Sequence, residues 1–410
     1  MKIITLRGGN RLIGDVSISG SKNAALPIIF ACILTKGLSE IRNLPDIGDV
    51  RVALDLLRSF GARIFREDGI TYVDTEELSY APPDSRLVSK IRASTYLLGA
   101  CLSRFGRCPI LAFGGCNFAQ RPIDMHIDAC LALGGELSGD EITAKKLVGG
   151  EISFKKASVG ATVNAILLAS SAEGKTLIRG GAREPHIDAL IDFLISCGAN
   201  INRQGDDLHI TGKVLHGGKI TIIGDMIEAG TYLTAGLITG GEVRVTNCPT
   251  GDMSAIFDAL ESLGATINIK ENTANAVLLG KGNAASIVAA PYPGFPTDLQ
   301  PIIAPLMAVL CGGEITDTVW QSRFGYLEAL SAFGVDYEIN GNHAVITPSQ
   351  IKSGKALSPD LRGGVACLLA ALAAQGKSEI LSAEIILRGY ENLEEKLRAL
   401  GADILIEEIL

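Results

Sequence analysis

Residues 391–402, ENLEEKLRALGA, set the pattern by which the whole chain is organised. Apolar residues run at helix spacing through ENLEEKLRAL and stop at Leu400-Gly401-Ala402. Glycine at that place reads as a helix C-terminal cap, because it takes a positive φ without a Cβ clash. The same phrase recurs as Phe60-Gly61-Ala62, Leu133-Gly134-Gly135, Cys197-Gly198-Ala199, Leu263-Gly264-Ala265 and Phe333-Gly334-Val335, each time leading into a β-prone segment. The intervals between the six glycines are 73, 64, 66, 70 and 67 residues. Self-similarity at a near-constant period marks a chain built from one repeated unit.

Upstream of each phrase lies a second helix, as KNAALPIIFACIL, RASTYLLGACLSRF, ATVNAILLASSAE, AGTYLTAGLIT, LQPIIAPLMAVLC and RGGVACLLAALAAQ. These are apolar nearly all round and rich in small residues, which predicts burial on every face. A strand follows each: LSEIRN, CPILAF, TLIRG, EVRVTN, EITDTV and SEILSA. Turns such as Glu67-Asp68-Gly69 and Asn340-Gly341-Asn342 pair the later strands. The unit is therefore buried helix, strand, amphipathic helix, paired strands. Six buried helices pack economically as three inside each of two α/β domains, sheathed by strands and amphipathic helices. Other units close on a strand such as GGKITIIGDM, whereas the last stops at Leu410 without one. An N-terminal hairpin, MKIITLRGGNRLIGDVSISG, can supply the missing strands. The expected domains are 21–222, and 1–20 with 223–410, with an active site in the cleft between them.

A net charge of −8 argues against general nucleic-acid binding while permitting a local basic cleft. Apolar runs such as Ala24 to Leu34 are too short for a bilayer, so no membrane insertion is expected. The start, MKIITLRGGNRL, has no apolar signal core. Nine cysteines without a CxxC pair point to free thiols in a reducing, cytoplasmic setting. The histidines at 126, 186, 209, 216 and 343 are too scattered for a metal site.

Polar residues gather where helices begin. Lys22, Arg92, Arg121, Arg323, Arg362 and Arg388 recur at equivalent ends. Caps and surface ion pairs are the plain alternative. Yet capping favours Asp, Asn, Ser and Thr, and a cation is disfavoured beside the positive end of a helix dipole. Cations so placed want an anion, and arginine's fork suits carboxylate and phosphate. Cys116 follows Gly114-Gly115 and precedes Arg121, a setting that favours a thiolate over an inert thiol. Asp298 ends Phe295-Pro296-Thr297-Asp298 ahead of a buried helix, as an N-cap or as a general base. Gly174-Lys175-Thr176 resembles the end of a phosphate-binding loop, but position 169 is Ala and the order runs helix to strand.

The segments SGSKNAALP (19–27), IRAS (91–94), GGC…RPID (114–124), SVGAT (158–162), REP (183–185), FPTD (295–298), RF (323–324), DLR (360–362) and RGYE (388–391) are spread along essentially the whole chain. Together they closely resemble the enolpyruvyl transferase family, in the branch that acts on UDP-N-acetylglucosamine. The resemblance implies a two-domain inside-out α/β barrel, with phosphoenolpyruvate and UDP-N-acetylglucosamine as substrates. It implies enolpyruvyl transfer to the sugar 3-hydroxyl with release of phosphate, the first committed step of peptidoglycan synthesis. It implies no metal and no cofactor. On the matching positions, Lys22, Arg121 and Arg388 would hold the two anionic groups of phosphoenolpyruvate. Cys116 would protonate or add to the enol, and Asp298 would take the hydroxyl proton. Asn23 and Val319 would touch the sugar, and Arg121, Pro122, Ile123, Asp124 and Met125 the uridine. Lys156, Ser158, Val159 and Gly160 would meet the diphosphate, with Arg92, Arg323, Asp360 and Arg362 as further site residues.

The chain departs from the family at Met226, where many relatives carry Arg, and at Gln321, where Glu is usual. Its Cys116 loop, Asn117-Phe118-Ala119-Gln120, is bulkier than the small-residue version. Two alternatives stay open: an enolpyruvyl transferase for another nucleotide acceptor, and a non-catalytic sugar-nucleotide-binding paralogue. The epoxide phosphonate fosfomycin should alkylate Cys116. Peptide mass spectrometry should place the adduct there, and labelling of a different cysteine at saturation would refute the assignment.

Overall fold

A computed structural model of the chain describes residues 1–114 and 122–409. They form two compact units, residues 20–114 with 122–223, and residues 1–19 with 224–409. The six repeat glycines, 61, 134, 198, 264, 334 and 401, all have left-handed φ, between 81° and 104°. A residue with a Cβ would cost roughly 1–2 kcal/mol there, which is why one residue type closes each amphipathic helix.

In the unit containing 224–410, helices Met226–Ile238, Gln300–Val309 and Leu361–Ala373 pack on one another. Nearly every side chain on them is buried. Asp225 and Asp360 cap two of them, each Oδ1 accepting from two backbone N–H groups at 2.8–3.1 Å. Three four-stranded sheets accompany these helices. Each follows one plan, shown by Ala285–Ala289 parallel to Gly313–Asp317, then His343–Thr347 and Asp336–Asn340 antiparallel. The third strand of one sheet runs on into the first strand of another, as His343–Thr347 does into Lys355–Leu357.

That plan corrects the N-terminal hairpin. Lys2–Gly8 and Ile13–Ser17 do not pair with each other. Lys2–Gly8 lies between Gly376–Leu381 and Asp403–Glu408, antiparallel to both. Ile13–Ser17 runs parallel to Glu242–Thr246 in a different sheet. The segment is one more link from third strand to first strand. Its turn is pinned where Gly9 N–H donates to Leu372 O (3.0 Å) at the end of a buried helix. A Cβ on Gly8 would lie 2.1 Å from Ala371 O, so the backbone passes where no side chain fits.

In residues 20–223, the buried helices are Lys22–Ala31, Leu97–Phe105 and Val159–Ser171. RASTYLLGACLSRF is not one helix, since a 3-10 turn, Arg92–Tyr96, precedes Leu97–Phe105. Gly99 lets this helix meet Val159–Ser171 closely: a Cβ there would lie 2.6 Å from Asn164 Oδ1. CPILAF is strand only as far as Pro109, where the ladder loses a donor. Lys219–Thr221 closes back on Leu38–Arg42, continuing from Asp207–Thr211 in another sheet. It is the counterpart of the link through residues 8–13.

One buried ion pair ties the N-terminal segment down. Lys396 Nζ donates to Glu228 Oε1 and Ser19 Oγ, both at 2.6 Å, while Ser19 N–H donates to Glu228 Oε2 at 3.0 Å. Burial pushes the Glu228 carboxyl up to about 7, against the pull of Lys396. A raised carboxyl stabilises the fold below its unfolded pKa, about 4.5, and that contribution is lost as pH rises through about 7. Thermal melts should therefore show the wild type losing stability relative to Glu228→Gln between pH 4.5 and 8. A gap independent of pH would contradict this.

Candidate active site

Cys116 and Arg121 lie outside the described residues. In residues 20–223, Lys22 opens its helix with Asn23 beside it, and its Nζ sits 3.4 Å from Asp49 Oδ2. Asp49 lies in the first turn of helix Gly48–Ser59, so two helix starts meet through this pair. Arg92 opens the 3-10 turn, half-buried, and burial lowers its pKa. Pro122 and Ile123 lead into helix Asp124–Ala132, which carries Asp124 and Met125 in its first turn. Ser158 caps Val159–Ser171, its Oγ accepting from Ala161 N–H at 3.4 Å, with Val159 and Gly160 as the first two helical residues. Lys156 is exposed just before them.

His126, dismissed above as one of five scattered histidines, sits among these residues. A Cβ on Gly160 would lie 2.8 Å from its Cε1 and 3.1 Å from its Nε2. Asn164 sets its tautomer. Asn164 Oδ1 accepts from Gly99 N–H (2.8 Å), so Nδ2 donates, to Thr95 O (3.0 Å) and to His126 Nδ1 (2.7 Å). The imidazole proton is then on Nε2, on the side facing Gly160. Burial, then the nearby Arg92 charge, lowers the His126 pKa to about 4. The signal was available in its place two residues after Asp124, next to a motif already singled out.

In residues 224–410 a second cluster centres on Asp298. The cap reading fails here: helix Gln300–Val309 has Leu299 at its N-cap, with no side-chain cap bond. Instead Arg323 Nη2 donates to Asp298 Oδ1 at 2.8 Å. Arg362 Nε and Nη2 donate to Oδ2 at 3.2 and 3.1 Å. Both arginines are about 95% buried or more, and Asp298 is 29% exposed. The anion these two cations sought is thus a carboxylate of the protein itself. Asp360 serves as the cap described above, and Arg388 ends the turn Ala383–Arg388, two residues before Tyr390.

Tyr390 closes the cluster from behind. Its hydroxyl accepts from Arg362 Nη1 at 3.2 Å and meets Thr231 Oγ1 at 2.8 Å. Thr231 gives its own proton to Ile227 O (2.8 Å), so Tyr390 is the donor to Thr231. Burial pushes the Tyr390 phenol up to about 12, keeping that proton in place. Burial works against the Arg362 charge, but Tyr390, Asp298 and Asp225 more than offset it and raise its pKa. Val319 lies in the turn after strand Gly313–Asp317, its N–H held by Asp317 Oδ1 at 2.8 Å. The arrangement offers an oriented carboxylate on buried guanidinium forks in one unit. The other unit offers helix starts dressed with Lys22, Ser158 and a neutral histidine.

Comparison with known proteins adds three findings. The chain matches the family model of EPSP synthase (3-phosphoshikimate 1-carboxyvinyltransferase) over residues 6–397. It is 39% identical over 406 residues to the UDP-N-acetylglucosamine 1-carboxyvinyltransferase of Halothermothrix orenii, spanning 97% of this chain and 98% of that one. The solved enolpyruvyl transferase NikO from Streptomyces tendae superposes with a TM-score of 0.88 at 26% identity, over 100% of this chain and 99% of that one. EPSP synthase from Acinetobacter baumannii shares the fold, with a TM-score of 0.74 at 16% identity over the full length of both chains.

The His126 environment can be checked directly. Its ring-proton NMR shift should titrate near pH 4, far below the ordinary 6.5. A depressed histidine stabilises the fold above about 6.5, and that contribution is lost as pH falls toward 4. A midpoint at or above 6.5 would mean the ring is neither buried nor held as described.

Proposed function

We propose, on the premise that this chain belongs to the enolpyruvyl transferase family, that it transfers the enolpyruvyl group of phosphoenolpyruvate to the 3-hydroxyl of UDP-N-acetylglucosamine. Phosphate is released, and the product is the enolpyruvyl ether that opens peptidoglycan synthesis. The full-length likeness to an enzyme named for this reaction is the observation that carries the reading. The geometry around Asp298 supports its mechanism.

Protonation of the enol carbon creates an oxocarbenium-like centre flanked by carboxylate and phosphate. Lys22, Arg121 and Arg388 hold those two anions, and Cys116 supplies or shares the proton. The sugar hydroxyl attacks the cation and its proton passes to Asp298, giving a tetrahedral adduct. The new methyl group then gives back the added proton as the carbon–oxygen bond to phosphate breaks, which restores the double bond of the enol ether and releases phosphate. The carboxylate accepts only, and guanidinium donors on both oxygens fix its plane before substrate arrives. Preset orientation removes reorganisation from the reacting step. Asn23 and Val319 contact the sugar, and Pro122 to Met125 with Arg121 the uridine. Lys156, Ser158, Val159 and Gly160 receive the diphosphate at a helix start, where free N–H groups favour anions. Arg92 and the Nε2–H of His126 add donors to that end. Each unit folds on this reading as an inside-out α/β barrel of three repeats, in a cytoplasmic enzyme.

The likeness to NikO, an enolpyruvyl transferase, supports the transfer without fixing its acceptor, so a different nucleotide acceptor is the second reading. Phosphate release with each candidate acceptor separates the two. No helix among the described residues is long and apolar enough to cross a membrane. Asp298→Asn should keep sugar-nucleotide affinity within a few-fold by calorimetry while kcat falls by about 10²–10⁴. Turnover near that of the wild type would remove Asp298 from the reaction.

A further inference from the structure

We infer that Asp317 is a positioning residue for this reaction, whose one carboxylate holds both the Val319 turn and the arm that grips Asp298. The inference rests on the function proposed above. Asp317 ends strand Gly313–Asp317 and is fully buried. Its backbone is pinned from one side by Asn342, which takes the Asp317 N–H at 2.9 Å and donates Nδ2 to Asp317 O at 3.1 Å. From that fixed point the carboxylate reaches in two directions.

Oδ1 accepts from the backbone N–H of Val319 and of Trp320, both at 2.8 Å. These bonds shape the turn that presents the proposed sugar contact. Oδ2 accepts the hydroxyl proton of Thr297 at 2.6 Å. Thr297 has one proton to give, and a carboxylate can only accept it. The threonine oxygen is thereby left as an acceptor for Arg323 Nη1 at 3.1 Å. Arg323 Nη2 then meets Asp298 Oδ1 at 2.8 Å. The direction of one hydroxyl proton, set by Asp317, decides which way the Arg323 fork faces and hence how the base is held.

Two substitutions separate the two reaches. Asp317→Asn keeps an oxygen for the Val319 and Trp320 N–H groups but turns an amide donor toward Thr297. The threonine oxygen then faces two donors, and its own proton has no acceptor. Losing a charge-assisted bond of this kind costs roughly ten- to a hundred-fold, and the loss should appear in kcat. The KM for UDP-N-acetylglucosamine should stay within about three-fold. Asp317→Ala releases the turn as well, so KM should also rise by about ten-fold or more. Thr297→Val breaks the same relay one step along. Its kcat loss and that of Asp317→Asn should not add in the double variant.

Melting curves confirm that each variant is folded. Additive losses, or wild-type kcat in a folded Asp317→Asn, overturn the inference. Emission from Trp320, the only tryptophan of the chain, gives a readout that needs no substrate. Asp317→Ala should shift it and Asp317→Asn should not, while a spectrum unchanged in both variants overturns the inference. Failure of the wild type to release phosphate with UDP-N-acetylglucosamine overturns the proposed function instead. The emission test then decides the role of Asp317 alone.

Discussion

A helix that is apolar on every face is stable in water only when protein surrounds it on every side. In an ordinary two-layer domain the sheet supplies the centre and the helices keep one polar face. Here three helices in each unit bury most of their residues, whereas the strands alternate buried with more exposed positions. The other features follow from that burial. Small residues such as Gly99 occupy the closest helix approaches. Sheets hand their chain on to one another, as His343–Thr347 does to Lys355–Leu357.

That burial also fixes where chemistry is possible. A buried helix exposes little but its ends, and its first turn carries unpaired N–H groups. Asp225, Asp360 and Ser158 satisfy some of these as caps. The remaining polar side chains at helix starts are held by one another. Asp298 with Arg323 and Arg362, and Lys22 with Asp49, are charges that would be costly to bury singly. Breaking one partner of such a pair typically costs about 3–5 kcal/mol. The same groups that would act on substrate therefore also keep the two helix ends in place.

Local pattern was legible in the sequence, and long-range partnership was not. The glycine caps, the six buried helices and the turns at residues 68–69 and 341–342 each depend on a few neighbouring residues. Spacing alone exposed them. Residues 2–17 read as a hairpin because two alternating segments flank a Gly-Gly, and nothing local says that their partners lie hundreds of residues away. The cap alternative for Asp298 stayed open for the same reason, since its arginines come from positions 323 and 362. His126 was passed over because scatter along the chain was taken as scatter in space. Asp317 left no mark at all, being one acidic residue at the end of a strand. The roles given to Lys22, Asp298 and Arg388 came from family resemblance, not from spacing.

The threading of Lys2–Gly8 between Gly376–Leu381 and Asp403–Glu408 bears on how the chain emerges from the ribosome. Lys2–Gly8 is central to a sheet whose other members follow it by hundreds of residues. At roughly 5–20 residues per second, its partners arrive tens of seconds later. Residues 20–223 can close on themselves in that interval, because Lys219–Thr221 returns to Leu38–Arg42 without waiting for later sequence. The leading strand must meanwhile stay unpaired and soluble, with both its edges open. Its alternation of Ile4 and Leu6 with Thr5 and Arg7 leaves one face polar over residues 4–7 throughout that delay. The order of synthesis thus makes one unit a finished body while the other is still missing the strand pair that receives its own beginning.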